Sequence, residues 1–439
     1  MVDSVSKGEH SRLTLISVIL QLLAMTIERG KTSPTSFTNE PFFNDVATNT
    51  TPSWLDVDNV TETFQVPEGC LVIPNLAATP VDNPRDLVST ATIEQYDTFV
   101  QVYVLTLCFL ISAPTNLINM AVFWKHGIKE RINLCLFCLS FADLIVIASY
   151  FLMYAEKIYT EISNTDDTRG FLFYFIQNKI QYFPAGFPYV SGFLSTLIAF
   201  ERCLCVVSPL KAQSVIQTKT AAVVIAIGNA VIMAGAYFLV ARYRVLCTFN
   251  PSTGEMGRTV YYSDFYINNR ELVDTFVGIV YGIVLPGVYT VSISICTIIT
   301  VVKLRRMAEW REQSSSSAGL SSGMSAVKDA TLTRMLVGTS CVFVSCITPH
   351  FLFYVIVPFV PELRLGGTYS NTFRVGIATL QMASFINSSV NFFVYYYFGT
   401  KYRQTVRGMF CGRRKIRNCV RMTTGKEIGR DSAVFSVSQ

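Results

Sequence analysis

The sequence predicts an all-α membrane protein, a seven-transmembrane helix bundle followed by a short amphipathic eighth helix. Hydrophobic residues make up 51% of the 439 residues and charged residues only 15%, with a mean hydropathy of +0.39. This composition is typical of a membrane protein. The apolar residues form runs long enough to cross about 30 Å of hydrocarbon as helices. Alternating ten-residue segments are absent, which argues against a membrane β-barrel.

Seven such runs follow one another along the chain, and together they define a predicted helical domain over 97–398. Runs 98–124, 220–241, 275–302 and 375–400 contain no Asp, Glu, Lys or Arg. The other three runs carry polar exceptions: 132–155 contains Asp143, 180–200 ends before Glu201 and Arg202, and 335–361 contains His350. Charged and polar groups are costly inside a bilayer, so these exceptions are the first candidates for function.

The N-terminal residues predict a processed leader and an exposed tail. The uncharged run 13–27 is too short for a span and predicts a signal peptide over 1–29, with an uncleaved interfacial segment as the alternative. Residues 30–96 are rich in Thr, Asn, Asp and Pro without a helical or strand period, which predicts a disordered extracellular tail. Asn49 and Asn59 begin glycosylation sequons in that tail.

The C-terminal residues predict attachment to the membrane surface. Over 399–410 the apolar residues share one helical face and the basic residues another, which predicts an amphipathic helix in contact with lipid. The remaining residues, 411–439, form a predicted cytoplasmic tail. In it Cys411 and Cys419 lie among basic residues and are candidates for palmitoylation, with a free thiol as the alternative.

Loop charges predict the orientation in a plasma membrane. Basic residues are concentrated after Gly399 and in the loops on the same side, whereas the tail before Tyr96 is acidic. The positive-inside rule therefore places the N-terminus outside and the C-terminus in the cytoplasm. Lipid headgroups explain the basic tail and the net charge of +6 as well as nucleic acid would, so we expect no nucleic-acid partner.

The end of the third span carries the most specific motif. Glu201-Arg202-Cys203 closes the span, and Val206 to Leu210 (VVSPL) follows it. The motif resembles the acidic-arginine signature of rhodopsin-like G-protein-coupled receptors, and the stretch 116–149 is similar to divergent invertebrate peptide and chemosensory members. The resemblance implies a receptor, not an enzyme. Its expected partners are an extracellular peptide or small chemosensory molecule, heterotrimeric G proteins, arrestin and receptor kinases.

The same resemblance implies residues for coupling and switching. Asn391 to Tyr395 (NFFVY) resembles the asparagine-proline-x-x-tyrosine segment of the seventh helix, with Phe392 in place of the proline. Two acids are candidate partners of Arg202: its neighbour Glu201, and Asp329, which lies twenty residues before Pro349. The predicted switch set is Glu201, Arg202, Asp329, Asn391 and Tyr395.

Polar residues deep in the spans have two interpretations. Asp143, Ser191, Asn387 and Ser388 form either a hydrogen-bond network between helices or a site for a small cation, since a carboxylate ringed by hydroxyl and amide oxygens offers hard ligands. The resemblance implies an allosteric sodium ion at these positions. No other cofactor is expected.

The predicted ligand pocket excludes two ligand classes. Pro184 stands where the family's amine receptors have an aspartate, and Phe385 stands where its opsins have a lysine. The basic and aromatic groups favour an amidated peptide or an acidic small molecule, with helix-interface contacts as the alternative. The predicted pocket residues are Gln181, Pro184, Pro188, His350, Tyr354, Arg374 and Gln381, with Lys157, Arg242 and Arg244 at its rim.

Cys70 and Cys247 are the only ones among twelve cysteines expected outside the membrane and the cytoplasm. Gln177 replaces the family's usual third-helix partner for the second extracellular loop. Because the outside compartment is oxidising, we expect a Cys70–Cys247 disulfide, with two free or separately paired thiols as the alternative.

A membrane transporter is the alternative function. Against it, the sequence has no paired internal repeats and no matching pair of interrupted helices. A catalytic membrane protein is disfavoured because the histidines at 10, 126 and 350 are too scattered for a metal cluster.

Overall fold

The computed structural model describes residues 70–72, 83–163, 182–208, 217–249, 256–314, 323–364 and 367–410. Ten helical segments are described in these ranges. They are α1 (Thr90–His126), α2 (Arg131–Met153), α3 (Ala155–Ser163), α4 (Tyr182–Val207), α5 (Thr218–Val240), α6 (Asp264–Asn268), α7 (Arg270–Phe276, continued by the π-helical turns Val277–Val284 and by Leu285–Ser314), α8 (Gly323–Ile356), α9 (Ser370–Phe398) and α10 (Thr400–Phe410). A further π-helical stretch, Phe99–Val104, lies within α1.

Six of the described helices are long and apolar enough to cross a membrane by length and composition: α1, α2, α4, α5, α7 and α8. Their outer faces are apolar. On α1, Leu107, Leu110 and Leu117 are each more than half exposed and share one side of the helix. Exposed leucines are favourable against lipid, whereas they would be costly in water. The seventh long helix, α9, has 29 residues but falls outside this set.

The long helices form a closed ring around α4. Neighbours in the ring are α1 and α2, α2 and α5, α5 and α7, α7 and α8, α8 and α9, and α9 and α1. Helix α4 packs against α2, α5, α7 and α8, so its side chains reach the middle of the bundle. The largest core cluster includes Leu136, Leu194 and Tyr395, from α2, α4 and α9. The central position of α4 places its buried polar residues, Ser191 and Glu201, inside the bundle.

The first helix starts earlier than the sequence predicted. Residues up to 96 were expected to belong to a disordered tail, but α1 begins at Thr90. The Ser89 hydroxyl caps it by accepting a hydrogen bond from the Thr92 amide at 3.2 Å. Ile93 and Asp97 are buried, so this polar extension is held by contacts with other elements that the local sequence does not reveal.

A small sheet lies at the end of the bundle where α1 and α9 begin, and we call this the sheet end. Strands β2 (Tyr243–Phe249) and β3 (Met256–Tyr262) form an antiparallel hairpin between α5 and α6, and β1 (Cys70–Val72) pairs parallel with β2. The all-α fold predicted from the sequence contains no strands. Part of the predicted tail is therefore a strand of the hairpin's sheet.

Candidate functional site

The opposite end, where α10 lies, carries a cluster of two arginines around one carboxylate. The Glu201 carboxylate accepts a hydrogen bond from Arg131 Nε at 2.7 Å and is paired with the Arg202 guanidinium. The Glu201 side chain is only 5% exposed, and the two arginines are 20% and 14% exposed. Partial burial strengthens such charge-assisted bonds. This cluster joins the first residue of α2 to the end of α4.

Helix α10 is joined to the bundle next to this cluster. The Tyr402 hydroxyl donates to Asn119 Oδ1 on α1, and His126 Nε2 lies 2.9 Å from Thr405 Oγ1. Tyr395 is fully buried, with its ring 5.4 Å from the Phe123 ring and 5.7 Å from the Tyr402 ring. Its hydroxyl has no hydrogen-bond partner among the described residues. The Tyr395 ring thus packs α9 against α1 and α10.

Asp143 is fully buried in the middle of the bundle. Its carboxylate accepts hydrogen bonds from Ser191 Oγ at 2.8 Å, Asn391 Nδ2 at 2.8 Å and Ser388 Oγ at 3.5 Å. These three bonds join α2, α4 and α9. Asn387, which the sequence analysis placed in this set, makes no described hydrogen bond to Asp143 and lines the cavity above it. The amide that bonds to Asp143 is instead that of Asn391, which the sequence placed in the switch set.

A second set of bonds extends this polar centre to α1. Asn116 Nδ2 donates to the Ser388 carbonyl at 2.9 Å, and the Ser112 hydroxyl donates to the same oxygen at 3.0 Å. Asn119 Nδ2 donates in turn to Asn116 Oδ1 at 3.2 Å. Because Asn119 also accepts from Tyr402, hydrogen bonds run from Asp143 through α9 and α1 to α10. The buried polar residues therefore connect the middle of the bundle to its α10 end.

The donor set around Asp143 is compatible with a small hard cation. A carboxylate and two hydroxyl oxygens are ligands that such cations prefer. The same carboxylate already has three protein donors, so the set is also complete as a structural network. No group of three or more His, Cys, Asp or Glu suited to a metal ion occurs among the described residues.

A cavity of about 220 Å³ opens above Asp143 toward the sheet end. It lies between α2, α4, α7, α8 and α9, and its floor is formed by Ser191, Asn387 and Ser388 of the polar centre. Five of the predicted pocket residues line it: Pro184, Pro188, His350, Tyr354 and Gln381. The centroid of the His350 ring lies 4.8 Å from that of Tyr354, with the two rings tilted by 32°, and 6.1 Å from that of Tyr189. The cavity is thus mainly aromatic and apolar.

Arg374 does not line the cavity, in contrast to the sequence interpretation. Its guanidinium is bonded to Asp97 on α1 at 2.7 Å, and it holds the start of α9 against α1. Arg242 is similarly bonded to Asp274 at 2.5 Å. These arginines were expected at the pocket or its rim because sequence alone does not reveal their distant carboxylate partners.

Lys157 on α3 lies close to the Asp97–Arg374 pair. Its ammonium donates to Gln101 Oε1 at 2.9 Å. Burial lowers the pKa of Lys157 below its ordinary value, while the nearby Asp97 carboxylate acts in the opposite direction. Lys157 is therefore part of the helix contacts at the sheet end.

The sheet aligns the two outside cysteines. In the parallel pairing of β1 with β2, Cys70 is the partner of Cys247. Neighbouring strands are about 4.8 Å apart, which lies within the Cα separation of about 4.4–6.8 Å that disulfides need. The backbone register is thus compatible with the bond, which stays a prediction.

A carboxylate from the tail caps the start of α9. Asp86 Oδ2 accepts from the Asn371 amide at 2.7 Å, and Oδ1 accepts from the Thr372 hydroxyl at 2.6 Å. The Asn371 side chain donates back to the Val88 carbonyl at 3.1 Å. A negative charge at a helix N-terminus is favourable. Residues 86–88 are thereby attached to the seventh long helix.

Several predicted residues lie outside the described part of the chain. These are Gln181, Asn49, Asn59, Cys411 and Cys419, and also the side chains of Asp329 and Arg244.

Other residues were missed by sequence reasoning, above all Arg131 and Asp86. Arg131 had one signal, a basic side chain at the first residue of a span, and its partner lies 70 residues away.

The comparisons with known proteins give one finding. A family model described as serpentine type 7TM GPCR chemoreceptor Srw matches residues 100–413, which is more than half of the chain. No curated protein matches the chain. The matched region runs from α1 through α10, and so includes the cavity, the polar centre and the arginine cluster.

Proposed function

The chain belongs to the Srw family of serpentine 7TM GPCR chemoreceptors, and we propose that it couples a small extracellular ligand to a heterotrimeric G protein at the plasma membrane. It is a multi-pass membrane chemoreceptor. The observation that supports coupling to a G protein is that a cavity lies toward one end of the bundle and the Glu201–Arg202 ion pair lies at the other. The polar centre of Asp143 lies between them.

The proposed mechanism is a shift between two conformations. Ligand in the cavity contacts α4, α8 and α9, so it favours the conformation in which these helices fit it best. The proposed active conformation moves the α10 end of α8 away from α4 and exposes Arg202 to the G protein. In the described conformation Glu201 holds Arg202, which supports an inactive state. Asn391 and Tyr395 link α9 to the same change.

The proposed orientation has the sheet end outside and α10 in the cytoplasm. Lys125, Arg131, Lys303 and Lys401 all fall at the α10 end, which supports this orientation by the positive-inside rule. Arrestin and receptor kinases are proposed cytoplasmic partners, and lipid surrounds the exposed apolar faces. A sodium ion bound by Asp143, Ser191 and Ser388 is a further proposal, supported by their oxygen ligands.

A cavity-filling substitution tests where the ligand binds. Ser384 lines the cavity, so Ser384→Trp should abolish the signalling response to any agonist found by screening expressing cells. Ile386→Trp is the matched control because Ile386 is on the same helix and 40% exposed on its outer side. Equal responses in both variants, at equal surface expression, would contradict binding in this cavity.

A further inference from the structure

The part of the cavity lining that the structure describes carries no formal charge. It is built from aromatic, aliphatic and uncharged polar side chains, and among the described residues no Asp, Glu, Lys or Arg lines it. Moving a charged ligand from water into such a site is costly unless a counter-charge meets it there. We therefore expect this lining to disfavour charged ligands whatever their shape.

Two of the described arginines near the mouth already have carboxylate partners. Arg374 is bonded to Asp97, Arg242 is bonded to Asp274, and none of the four lines the cavity. A ligand that recruited either arginine would have to leave its carboxylate unpaired. Neither pair therefore offers a counter-charge to a ligand.

Three buried polar atoms in the lining have no hydrogen-bond partner among the described residues. They are His350 Nε2, Gln381 Oε1 and the Tyr289 hydroxyl. The Gln381 amide nitrogen donates to the Tyr154 hydroxyl at 3.4 Å, which leaves its oxygen as an acceptor. Buried polar atoms are normally paired, so these three atoms define where a ligand's polar groups would fit.

The volume limits the size of the ligand. A cavity of about 150 Å³ holds one benzene molecule in another protein, so about 220 Å³ suits one substituted aromatic ring. Rings from Tyr189, Tyr354 and His350 surround this space and can stack on such a ligand.

We propose that the ligand is a small, formally uncharged aromatic molecule whose hydrogen-bond donor faces Gln381 and whose second polar group faces His350. The proposal rests on the proposed function, because it names the ligand class of the same cavity. It replaces the acidic or amidated-peptide ligand that the sequence favoured.

A matched set of three probes tests the charge preference. 2-Phenylethanol, phenylacetate and 2-phenylethylamine share one ring and a two-carbon arm but are neutral, anionic and cationic. Full-length receptor in lipid nanodiscs is titrated with each, and the dissociation constants follow from the rise in unfolding temperature. We expect 2-phenylethanol to bind about a hundredfold tighter than either charged probe, since an unpaired buried charge is strongly unfavourable.

Variants of one residue test the polar contact. Gln381→Leu should weaken 2-phenylethanol about three- to tenfold, the effect of one lost hydrogen bond, and leave ethylbenzene unchanged. Gln381→Glu should reverse the order and make 2-phenylethylamine the tightest probe. Tyr154→Phe is the matched control, because it removes the other end of the Gln381 bond without altering the lining.

Three results would overturn the proposal: tighter binding of a charged probe to the wild type, no binding of any neutral probe at millimolar concentration, or an unchanged order in Gln381→Glu. The readout needs no G protein. If a neutral probe binds but does not stimulate nucleotide exchange, G-protein coupling is contradicted and the proposed ligand class is not. If exchange is stimulated but a charged probe binds most tightly, the ligand class is contradicted and the coupling is not.

Discussion

At the scale of single residues, the proposed function depends on two buried carboxylates with different surroundings. Asp143 faces hydroxyl and amide groups only, and Glu201 faces two arginines. Hydroxyl and amide donors leave room for a small cation to bind or leave, whereas two guanidinium groups fix their carboxylate firmly. Asp143 is thus suited to sensing an ion and Glu201 to holding Arg202.

The first prediction concerns Asp143. Asp143→Asn should abolish any sodium dependence of agonist affinity, because the amide removes the charge that a cation needs. Agonist binding is measured in sodium and in choline buffer, with Asn387→Ala as the comparison because Asn387 makes no described bond to Asp143. If the wild type shows no sodium dependence, the set is a hydrogen-bond network between helices.

The second prediction concerns the arginine cluster. Glu201→Gln should raise agonist-independent nucleotide exchange about three- to tenfold, because it removes the charge that pairs with Arg202. Arg202→Ala should lower coupling at unchanged surface expression. Asp329→Ala tests the alternative partner separately.

If Asp329→Ala raises basal exchange and Glu201→Gln does not, Arg202 is held from α8 instead. If neither variant raises agonist-independent nucleotide exchange, neither acid stabilises the inactive state.

At the scale of elements, the sheet end is held together by segments far apart in sequence. Strand β1 joins the β2–β3 hairpin, and Asp86 caps α9 from 285 residues away. The tail before α1 is therefore fastened at two places across the end where the cavity opens.

The third prediction is the Cys70–Cys247 disulfide. Peptide mapping without reduction should give a linked Cys70–Cys247 peptide, because the strands place these residues in register. A loop of this length gains on the order of 4–5 kcal/mol in the chain-entropy model, so the Cys70→Ser variant should unfold at a lower temperature. Alkylation of both cysteines in unreduced receptor would rule the bond out.

The fourth prediction is a pH dependence at the start of α9. Burial alone would raise the pKa of Asp86, but hydrogen bonds from Thr372, Asn371 and Val88 lower it below its ordinary value of 3.8. A lowered pKa in the folded state gives stability that is present above pH 4 and lost as the pH falls through that lowered value.

Hydrogen exchange at the amides of Asn371 and Thr372 measures this effect. Asp86→Ala should speed exchange there at neutral pH, consistent with a lost cap of about 0.5–2 kcal/mol. Glu94→Ala, which changes an exposed acid on α1, should not. Equal protection in Asp86→Ala and the wild type would show that the carboxylate does not hold α9.

At the scale of the whole molecule, the fold follows from the sequence more completely than the site does. Long uncharged runs predict membrane helices because the bilayer requires their length and composition. The residues around Asp143 are predicted less well, because Asn387 and Asn391 lie one turn apart on the same face. The position of α9 along its own axis, which no local pattern specifies, decides which amide meets Asp143.

Contacts between distant residues are not encoded in any local pattern. Asp97 and Arg374 are 277 positions apart, and Arg131 and Glu201 are 70 apart. The sequence singled out Cys70 and Cys247 for another reason, namely that the expected compartment left only two candidates; the register of β1 and β2 is compatible with their bond, which stays a prediction. Conversely, the strand β1 and the early start of α1 were missed, because short polar segments depend on tertiary contacts for their structure.

The proposed function requires that a ligand bound in the cavity activates a G protein through Arg202. The most direct measurement is nucleotide exchange on a purified heterotrimeric G protein by the receptor in nanodiscs, with and without an agonist. We predict that agonist accelerates exchange with the wild type, and that Arg202→Ala binds the agonist equally but fails to accelerate exchange. Movement of the ligand across a sealed bilayer without any acceleration of exchange would contradict the account and identify a transporter.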